Sequence, residues 1–128
     1  MISFDSFIME PGVPIYQQLL RFIKRGVAGG TIRDGDELPS RRVLSARLGV
    51  NPNTVQKAYR MLEEEGLISS HSGAKSFMQL DGDKIAEVRA ELMDSEAGAF
   101  VSALRQAGLT RQDAHGLIDR LWGREEEE

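Results

Sequence analysis

The sequence predicts a mainly α-helical protein with one small β-hairpin, on the evidence of three features of its 128 residues. Apolar residues recur every three or four positions in several segments, which is the period of amphipathic helices. Two short helical segments are separated only by Gly49-Val50. Directly after the second of them, the runs 67–71 and 76–80 flank a turn at 72–75, a pattern typical of a hairpin. The length suits one compact domain with a short appendage.

The first 39 residues contain one predicted helix. An extended segment closed by the turn Pro11-Gly12-Val13-Pro14 is expected to pack on the domain. From Ile15 apolar side chains recur every four positions, and Gly29-Gly30 ends this helix. Residues 31–39 show no helical period and are expected to form a loop.

The second helix is predicted over residues 41–48, with Ser40 as its N-cap and Gly49 at its end. Val43, Leu44 and Leu48 are expected to form its buried stripe, and Arg41, Arg42 and Arg47 to face outward. A third helix follows at once.

In the third helix, Asn51 is the expected cap and Pro52 occupies the first helical position, where its missing N–H costs nothing. The buried stripe is expected at Val55, Ala58, Tyr59 and Leu62, and Gly66 ends the helix. Two helices around a tight turn, followed by a hairpin, make a winged helix-turn-helix. We assign it to residues 1–80.

Residues 81–128 are predicted to form a two-helix tail with an acidic C-terminus. Its first helix has a possible bend near Gly98 and ends at Gly108, and Thr110 is a candidate cap for its second. Two amphipathic helices cannot build a core of useful size, so their apolar faces need a cover. Either the winged domain or a second copy of the chain could supply it, and we favour a dimerisation tail.

Charge is unevenly distributed along the chain. Residues 10–78 hold ten Lys and Arg against seven Asp and Glu, a balance of +3. The remainder holds six against thirteen, a balance of −7, so the two sum to the net charge of −4. The predicted winged domain is therefore basic despite the acidic total, as nucleic-acid binding requires.

Several function classes are disfavoured by what the sequence lacks. With no cysteine, disulfides, thiolate metal sites and cysteine nucleophiles are excluded, which fits a reducing cytoplasm. No run approaches the roughly 18 apolar residues that a membrane span needs, and we expect no leader. His71 and His115 lie in no catalytic or metal motif, and Glu63-Glu64-Glu65 is interpreted as a solvated face. We therefore expect no enzyme, no metal and no cofactor.

The assembled motifs resemble the DNA-binding domain of the GntR family of bacterial transcription factors. The similar segments are Pro14-Ile15-Tyr16-Gln17-Gln18-Leu19, residues 35–42 (GDELPSRR) and residues 48–55 (LGVNPNTV), continued by Tyr59, Leu62-Glu63, Glu65-Gly66 and Ile68. The short tail resembles the YtrA subfamily, in which two helices serve dimerisation. One departure is the wing turn, where Gly73 is followed two residues later by Lys75 in place of the family's Gly-x-Gly.

The resemblance implies a transcriptional regulator, and we expect a homodimeric repressor that binds an inverted-repeat operator in double-stranded DNA. Phosphate contacts are expected from cations, and base contacts from side chains that can pair with base edges. The candidate DNA-binding residues are Arg41, Arg42, Asn51, Asn53, Thr54, Gln56, Lys57, Arg60, Ser72, Gly73 and Lys75. Asn51 has the alternative role of a simple helix cap, and exposed arginines can be merely solvated. No effector can be named from the sequence.

The alternative function is a winged helix used for protein contact without DNA, because a fold does not fix a function. The cations Arg41, Arg42, Lys57 and Lys75 favour DNA, since a protein-binding face would more often be apolar. The salt dependence of binding distinguishes the two functions. For duplex DNA, log affinity falls with log salt concentration, with a slope of about 0.9 for each ion pair formed with phosphate.

Overall fold

A computed structural model describes residues 1–71 and 75–127 of the chain. The residues form two compact units, of which the first is Met1–Ala90 and the second begins at Glu91. The first unit contains α1 (Ile15–Gly29), β1 (Glu37–Leu38), α2 (Arg41–Leu48), α3 (Pro52–Glu64), β2 (Ile68–His71), β3 (Lys75–Met78) and most of α4 (Gly82–Leu92). The second contains a π-helical turn (Met93–Ala97), α5 (Gly98–Gln106) and α6 (Arg111–Glu127).

The helix ends follow the capping residues of the sequence. Ser40 Oγ accepts a hydrogen bond from the Val43 N–H, and Asn51 Oδ1 accepts one from the Asn53 N–H. Gly30 ends α1 in the left-handed conformation, at φ +81°, where a residue with a side chain would be strained. The predicted bounds of α1, α2 and α3 are confirmed within one or two residues.

The core of the first unit lies between α1, α3 and the sheet. The side chains of Leu19, Ile23, Leu38, Leu44, Val55, Tyr59, Leu62 and Met78 are almost completely buried there. The N-terminal segment packs on this core, as predicted, because Ile2 and Phe4 are buried and the Ile2 N–H donates to the Glu37 carbonyl at 2.8 Å.

The sheet has three antiparallel strands in the order β1-β3-β2, so the predicted two-stranded hairpin was incomplete. Glu37 pairs with Phe77 and Leu38 with Ser76, which makes a strand of residues that the sequence had assigned to a loop. The physical reason is that a two-residue strand has no period of its own. Its hydrogen bonds depend on a partner about forty residues away in the chain.

The orientation of α2 also differs from the prediction. Val43 is 57 % exposed, whereas Leu44 and Ser45 are buried. Arg41, predicted to face outward, instead has a side chain that is only 22 % exposed. The helix is turned so that Arg41 lies inward, because an acidic partner on α3 receives its guanidinium, as described below.

The start of α4 is attached to the winged unit. Val88 is buried, the Lys84 Nζ donates to the Gly66 carbonyl at 2.7 Å, and an Arg89 Nη donates to the Ala28 carbonyl at 2.8 Å. These contacts place the first turns of α4 on the first unit.

The second unit is a helical hairpin. Gly108, at φ +79°, follows α5, and Thr110 caps α6 as predicted. Its hydroxyl accepts from the Asp113 N–H at 3.1 Å, while its own N–H donates to Asp113 Oδ2 at 2.9 Å, which is a reciprocal capping box. Hydrogen bonding of the Asp113 carboxylate to Thr110, mainly to its backbone N–H and then to its side chain, lowers the pKa of Asp113 below its ordinary value. Among the described residues, no helix is long and apolar enough to span a membrane.

Candidate nucleic-acid interface

The outward face of α3 is a polar stripe. Val55, Ala58, Tyr59 and Leu62 are buried, as predicted, and the exposed positions at helical spacing are Asn53, Gln56, Lys57 and Arg60. Residues three and four apart lie on one side of a helix, so these four side chains share a face. Amides can pair with the edge of adenine and Lys can reach guanine, which suits this face to a major groove.

The N-terminal end of α3 is fixed by its cap. Asn51 Oδ1 accepts from the Asn53 N–H at 2.8 Å, so Asn51 does act as the cap that the sequence offered as one of its two roles. Asn51, Pro52 and Asn53 are exposed, whereas Thr54 is half-buried. The amides and the proline are therefore more accessible than the threonine hydroxyl.

Lys57 lies over an aromatic ring of α1. Its Nζ is 3.9 Å from the centroid of the Tyr16 ring, which is the geometry of a cation–π contact. The Tyr16 hydroxyl accepts in turn from the Gln17 Nε2 at 3.2 Å. Because the ring restricts the orientations of the flexible Lys57 side chain, α1 helps to position a side chain of α3.

Arg42 and Arg60 are two further exposed cations, one on each helix of the motif. Arg42 lies in the first turn of α2, as predicted. Arg60 Nε is 4.0 Å from Glu64 Oε1, one helical turn further on, and both side chains are more than half exposed. An exposed pair of this kind contributes about 0.3–0.5 kcal/mol, so it leaves Arg60 available to another anion.

Arg41 is half-buried, and its guanidinium is engaged by side chains of α3 and β3. Its Nη2 is 3.2 Å from Glu63 Oε1, its Nη1 is 3.4 Å from the Ser76 Oγ, and its Cζ is 4.9 Å from the centroid of the Tyr59 ring. The prediction that Arg41 faces outward was therefore wrong.

The wing contributes Lys75, which is exposed at the start of β3 and pairs with His71 of β2. The predicted contacts Ser72 and Gly73 lie outside the described residues. Of the predicted wing contacts, Lys75 lies within the described residues, and its exposed ammonium suits a phosphate contact.

The acidic triplet at the end of α3 is exposed, as predicted, and its carboxylates also pair with cations. Glu63 binds Arg41, and Glu65 Oε1 is 2.9 Å from the Nζ of buried Lys24. Glu64 forms the exposed pair with Arg60. The three carboxylates thus pair with three different cations, and no group of three or more metal-ligating side chains occurs within residues 1–71 and 75–124.

A buried tyrosine joins the two helices of the motif. The Tyr59 hydroxyl donates to the Pro39 carbonyl at 2.7 Å, and its ring is fully buried. Burial raises the pKa of this hydroxyl above its ordinary value, and nearby Arg41 opposes that shift. The hydroxyl therefore stays protonated and remains a donor.

The tail carries a second candidate surface. A cleft of about 590 Å³ lies between α5 and α6, lined by apolar side chains with Arg105, Arg111 and His115 at its edge. Phe100, Val101, Leu109, Ile118, Leu121 and Trp122 are between 39 and 67 % exposed. Such a concentration of exposed apolar area marks an interaction surface.

Sequence reasoning missed Tyr16, Glu63 and Ser76 as functional candidates. The cation–π contact and the Arg41–Glu63 pair join residues 41 and 22 positions apart. No local spacing signals such contacts.

The geometry agrees with comparisons to known proteins. Residues 15–77 match the family model of bacterial regulatory proteins of the gntR family. The chain is 33 % identical over 107 residues to the HTH-type transcriptional regulator Rv1152 of Mycobacterium tuberculosis, covering 83 % of this chain and 84 % of that protein. The chain belongs to the GntR family. It is a DNA-binding transcriptional regulator, not an enzyme.

Two further relatives cover nearly the whole chain. The HTH-type transcriptional repressor YtrA of Bacillus subtilis is 29 % identical over 122 residues, covering 94 % of this chain and 92 % of that protein. A GntR family transcriptional regulator from Listeria monocytogenes superposes with a TM-score of 0.75 at 28 % identity, covering 88 % of this chain and 98 % of that one. This GntR regulator is therefore YtrA-like in length as well as in sequence.

Proposed function

We propose that this regulator is a homodimeric repressor that binds an inverted-repeat operator. The observation that carries the proposal is the exposed stripe of Asn53, Gln56, Lys57 and Arg60 on α3, accompanied by exposed Arg42 on α2. In this assignment Asn53 and Gln56 read bases, Lys57 reads guanine or binds phosphate, and Arg42, Arg60 and Lys75 bind phosphate.

At the cap, Asn51 orders the backbone of α3, and Thr54 is half-buried whereas Asn53 and Gln56 are exposed. We retain Ser72 and Gly73 as candidates through their place in the wing. Arg41 is not proposed as a direct contact, because its guanidinium is engaged by Glu63 and Ser76.

Repression is supported by the similarity to a protein named a transcriptional repressor. Binding near a promoter would exclude polymerase. Dimerisation is supported by the apolar cleft of the tail, whose burial would remove exposed Phe100, Val101 and Ile118 from water. We assign DNA binding to residues 1–80 and dimerisation to the tail over 81–128, although the first turns of α4 lie on the first unit. A two-fold dimer presents two recognition helices, so the operator is expected to repeat with inverted symmetry.

Mobility-shift binding to the DNA upstream of the chain's own gene tests the assignment. Arg42→Ala should weaken binding, whereas Gln56→Ala should relax sequence preference at one base pair, a change worth about 1–3 kcal/mol. The matched control is Arg47→Ala, which removes the same charge from α2 at a position about 140° further around the helix. Equal loss of affinity in Arg42→Ala and Arg47→Ala would refute the role of Arg42.

Dimerisation is tested separately by light scattering. Ile118→Asp places a charge in the apolar cleft and should shift the protein to monomers. Gln112→Asp adds the same charge to a polar position of α6 outside the cleft and should leave the dimer intact. A wild-type protein that is monomeric at high concentration would refute this part of the proposal.

A further inference from the structure

We propose that Arg41 and Glu63 are positioning residues that hold the wing at a fixed place relative to the recognition helix α3. In this role they act on DNA through Lys75 without touching it themselves. The inference rests on the proposed phosphate contact of Lys75, and the experiment below separates the failure of either.

The contacts form one continuous network across four elements. Arg41 of α2 donates to Glu63 of α3 at 3.2 Å and to the Ser76 Oγ of β3 at 3.4 Å. Ser70 of β2 donates to the same Glu63 oxygen, and its Oγ lies 3.2 Å from that of Ser76. Both wing strands are thereby hydrogen-bonded to the two helices of the DNA-binding motif.

The network holds the rung of the hairpin next to Lys75. Ser70 pairs with Ser76 in the antiparallel register, and the following rung pairs His71 with Lys75. Because successive residues of a strand point to opposite faces, fixing Ser76 on the inner face directs Lys75 outward. Ser76 is buried and Lys75 is exposed, as this arrangement requires.

The environment of Arg41 favours positioning over stabilisation. Its side chain is only 22 % exposed, the Tyr59 ring lies against its guanidinium, and its Nε is buried without a hydrogen bond to any described residue. A partly buried ion pair with an unsatisfied donor contributes little net stability, since desolvation offsets the attraction. What such a pair does supply is a defined geometry, because the planar guanidinium fixes the direction of each hydrogen bond.

For removal of the Glu63 carboxylate, the positioning role predicts a change in DNA affinity opposite to the one that electrostatics alone would give. Removing a carboxylate from a DNA-binding surface should strengthen binding, because the carboxylate repels phosphate. If Glu63 positions the wing, Glu63→Gln should instead weaken binding severalfold. For this variant, the slope of log affinity against log salt concentration should also become shallower by about 0.9 for each Lys75–phosphate contact that is lost.

The experiment measures mobility-shift affinity of the full chain for a short duplex from upstream of its own gene, at several salt concentrations. Glu64→Gln is the matched control, since it removes the same charge from the next position of α3, where the carboxylate forms an exposed pair with Arg60. Glu64→Gln should bind as well as the wild type or better. Arg41→Lys is the second variant, because it keeps the charge but not the fork of hydrogen bonds.

Lys75→Ala is introduced into both the wild-type and the Glu63→Gln protein, which gives a double-mutant cycle. Positioning predicts that Lys75→Ala weakens wild-type binding but adds little in the Glu63→Gln background, a non-additive result. It also predicts weakened binding by Arg41→Lys, whereas a direct phosphate contact would tolerate lysine. Thermal unfolding by circular dichroism confirms that each variant is folded at the assay temperature.

Three results would overturn the inference. Glu63→Gln could bind as tightly as Glu64→Gln, Lys75→Ala could weaken both backgrounds equally, or Arg41→Lys could bind like the wild type. If Lys75→Ala has no effect on the wild type, the proposed wing contact itself fails, and the positioning role fails with it.

Discussion

The hydrogen bond from Tyr59 to the Pro39 carbonyl gives the most direct test of how α2 and α3 are held together. Tyr59→Phe keeps the fully buried ring and removes only the hydroxyl. The perturbation leaves Pro39, itself buried, with a carbonyl that has lost its 2.7 Å donor. It therefore isolates one buried hydrogen bond at the entry to α2.

The expected loss in free energy of unfolding has two parts. A net hydrogen bond contributes about 0.5–1.5 kcal/mol, and leaving a buried partner unsatisfied costs about 1–3 kcal/mol. We take about 2 kcal/mol as the central value. With an unfolding entropy of about 2.1 cal/mol/K per residue over 128 residues, each kcal/mol moves Tm by about 4 °C, so the expected fall is about 7 °C.

The assay is thermal unfolding by circular dichroism at fixed protein concentration, because dimerisation would make Tm depend on concentration. The chain supplies its own control, since Tyr16 is its only other tyrosine. The Tyr16 hydroxyl only accepts from neighbouring, exposed Gln17, so Tyr16→Phe should change stability by less than about 0.5 kcal/mol. Equal Tm values for the two variants would refute the reasoning.

Two further predictions concern α1. Tyr16→Leu removes the ring that orients Lys57 before DNA is bound, so DNA affinity should fall in mobility-shift titrations, by at most about the two- to fivefold that a whole cation–π contact of about 0.5–1 kcal/mol corresponds to. Affinity unchanged from Tyr16→Phe would count against it. Gly26→Ala should destabilise the fold by about 1–3 kcal/mol in urea unfolding, because its Cβ would lie 2.5 Å from Ile32 Cδ1. Gly29→Ala, whose Cβ meets nothing within 4 Å, should not destabilise it.

The helix boundaries were predictable because their causes are local. Ser40, Asn51 and Thr110 cap their helices through hydrogen bonds to residues only two or three positions away. Gly30 and Gly49 end theirs through backbone conformations that depend on a single residue. A sequence read along its length contains all of this information.

What could not be predicted depends on contacts between distant residues. In α2 an eight-residue pattern offers too few apolar positions to fix its rotation, and apolar Val43 was the natural choice for the buried face. The structure turns Arg41 inward instead, since Glu63 compensates its charge from 22 positions away. The same limit hid β1, whose pairing with β3 spans about forty residues.

The candidate site likewise contains features that the local sequence predicts and features that depend on distant contacts. The polar stripe of α3 was predictable, because it is the complement of the buried stripe that the helical period reveals. Its cation–π contact with Tyr16 and the network behind the wing were not, since both join separate elements.

In the proposed complex, the outward face of α3 enters the major groove at two places per dimer. Methylation interference on the DNA upstream of the chain's own gene tests this directly, because the methyl group on guanine N7 projects into the major groove. We expect interference in two inverted segments about one helical turn, or a whole number of turns, apart, with interference at one guanine of each segment lost in Lys57→Ala. Binding that is indifferent to N7 methylation, with protection confined to the minor groove, would contradict it.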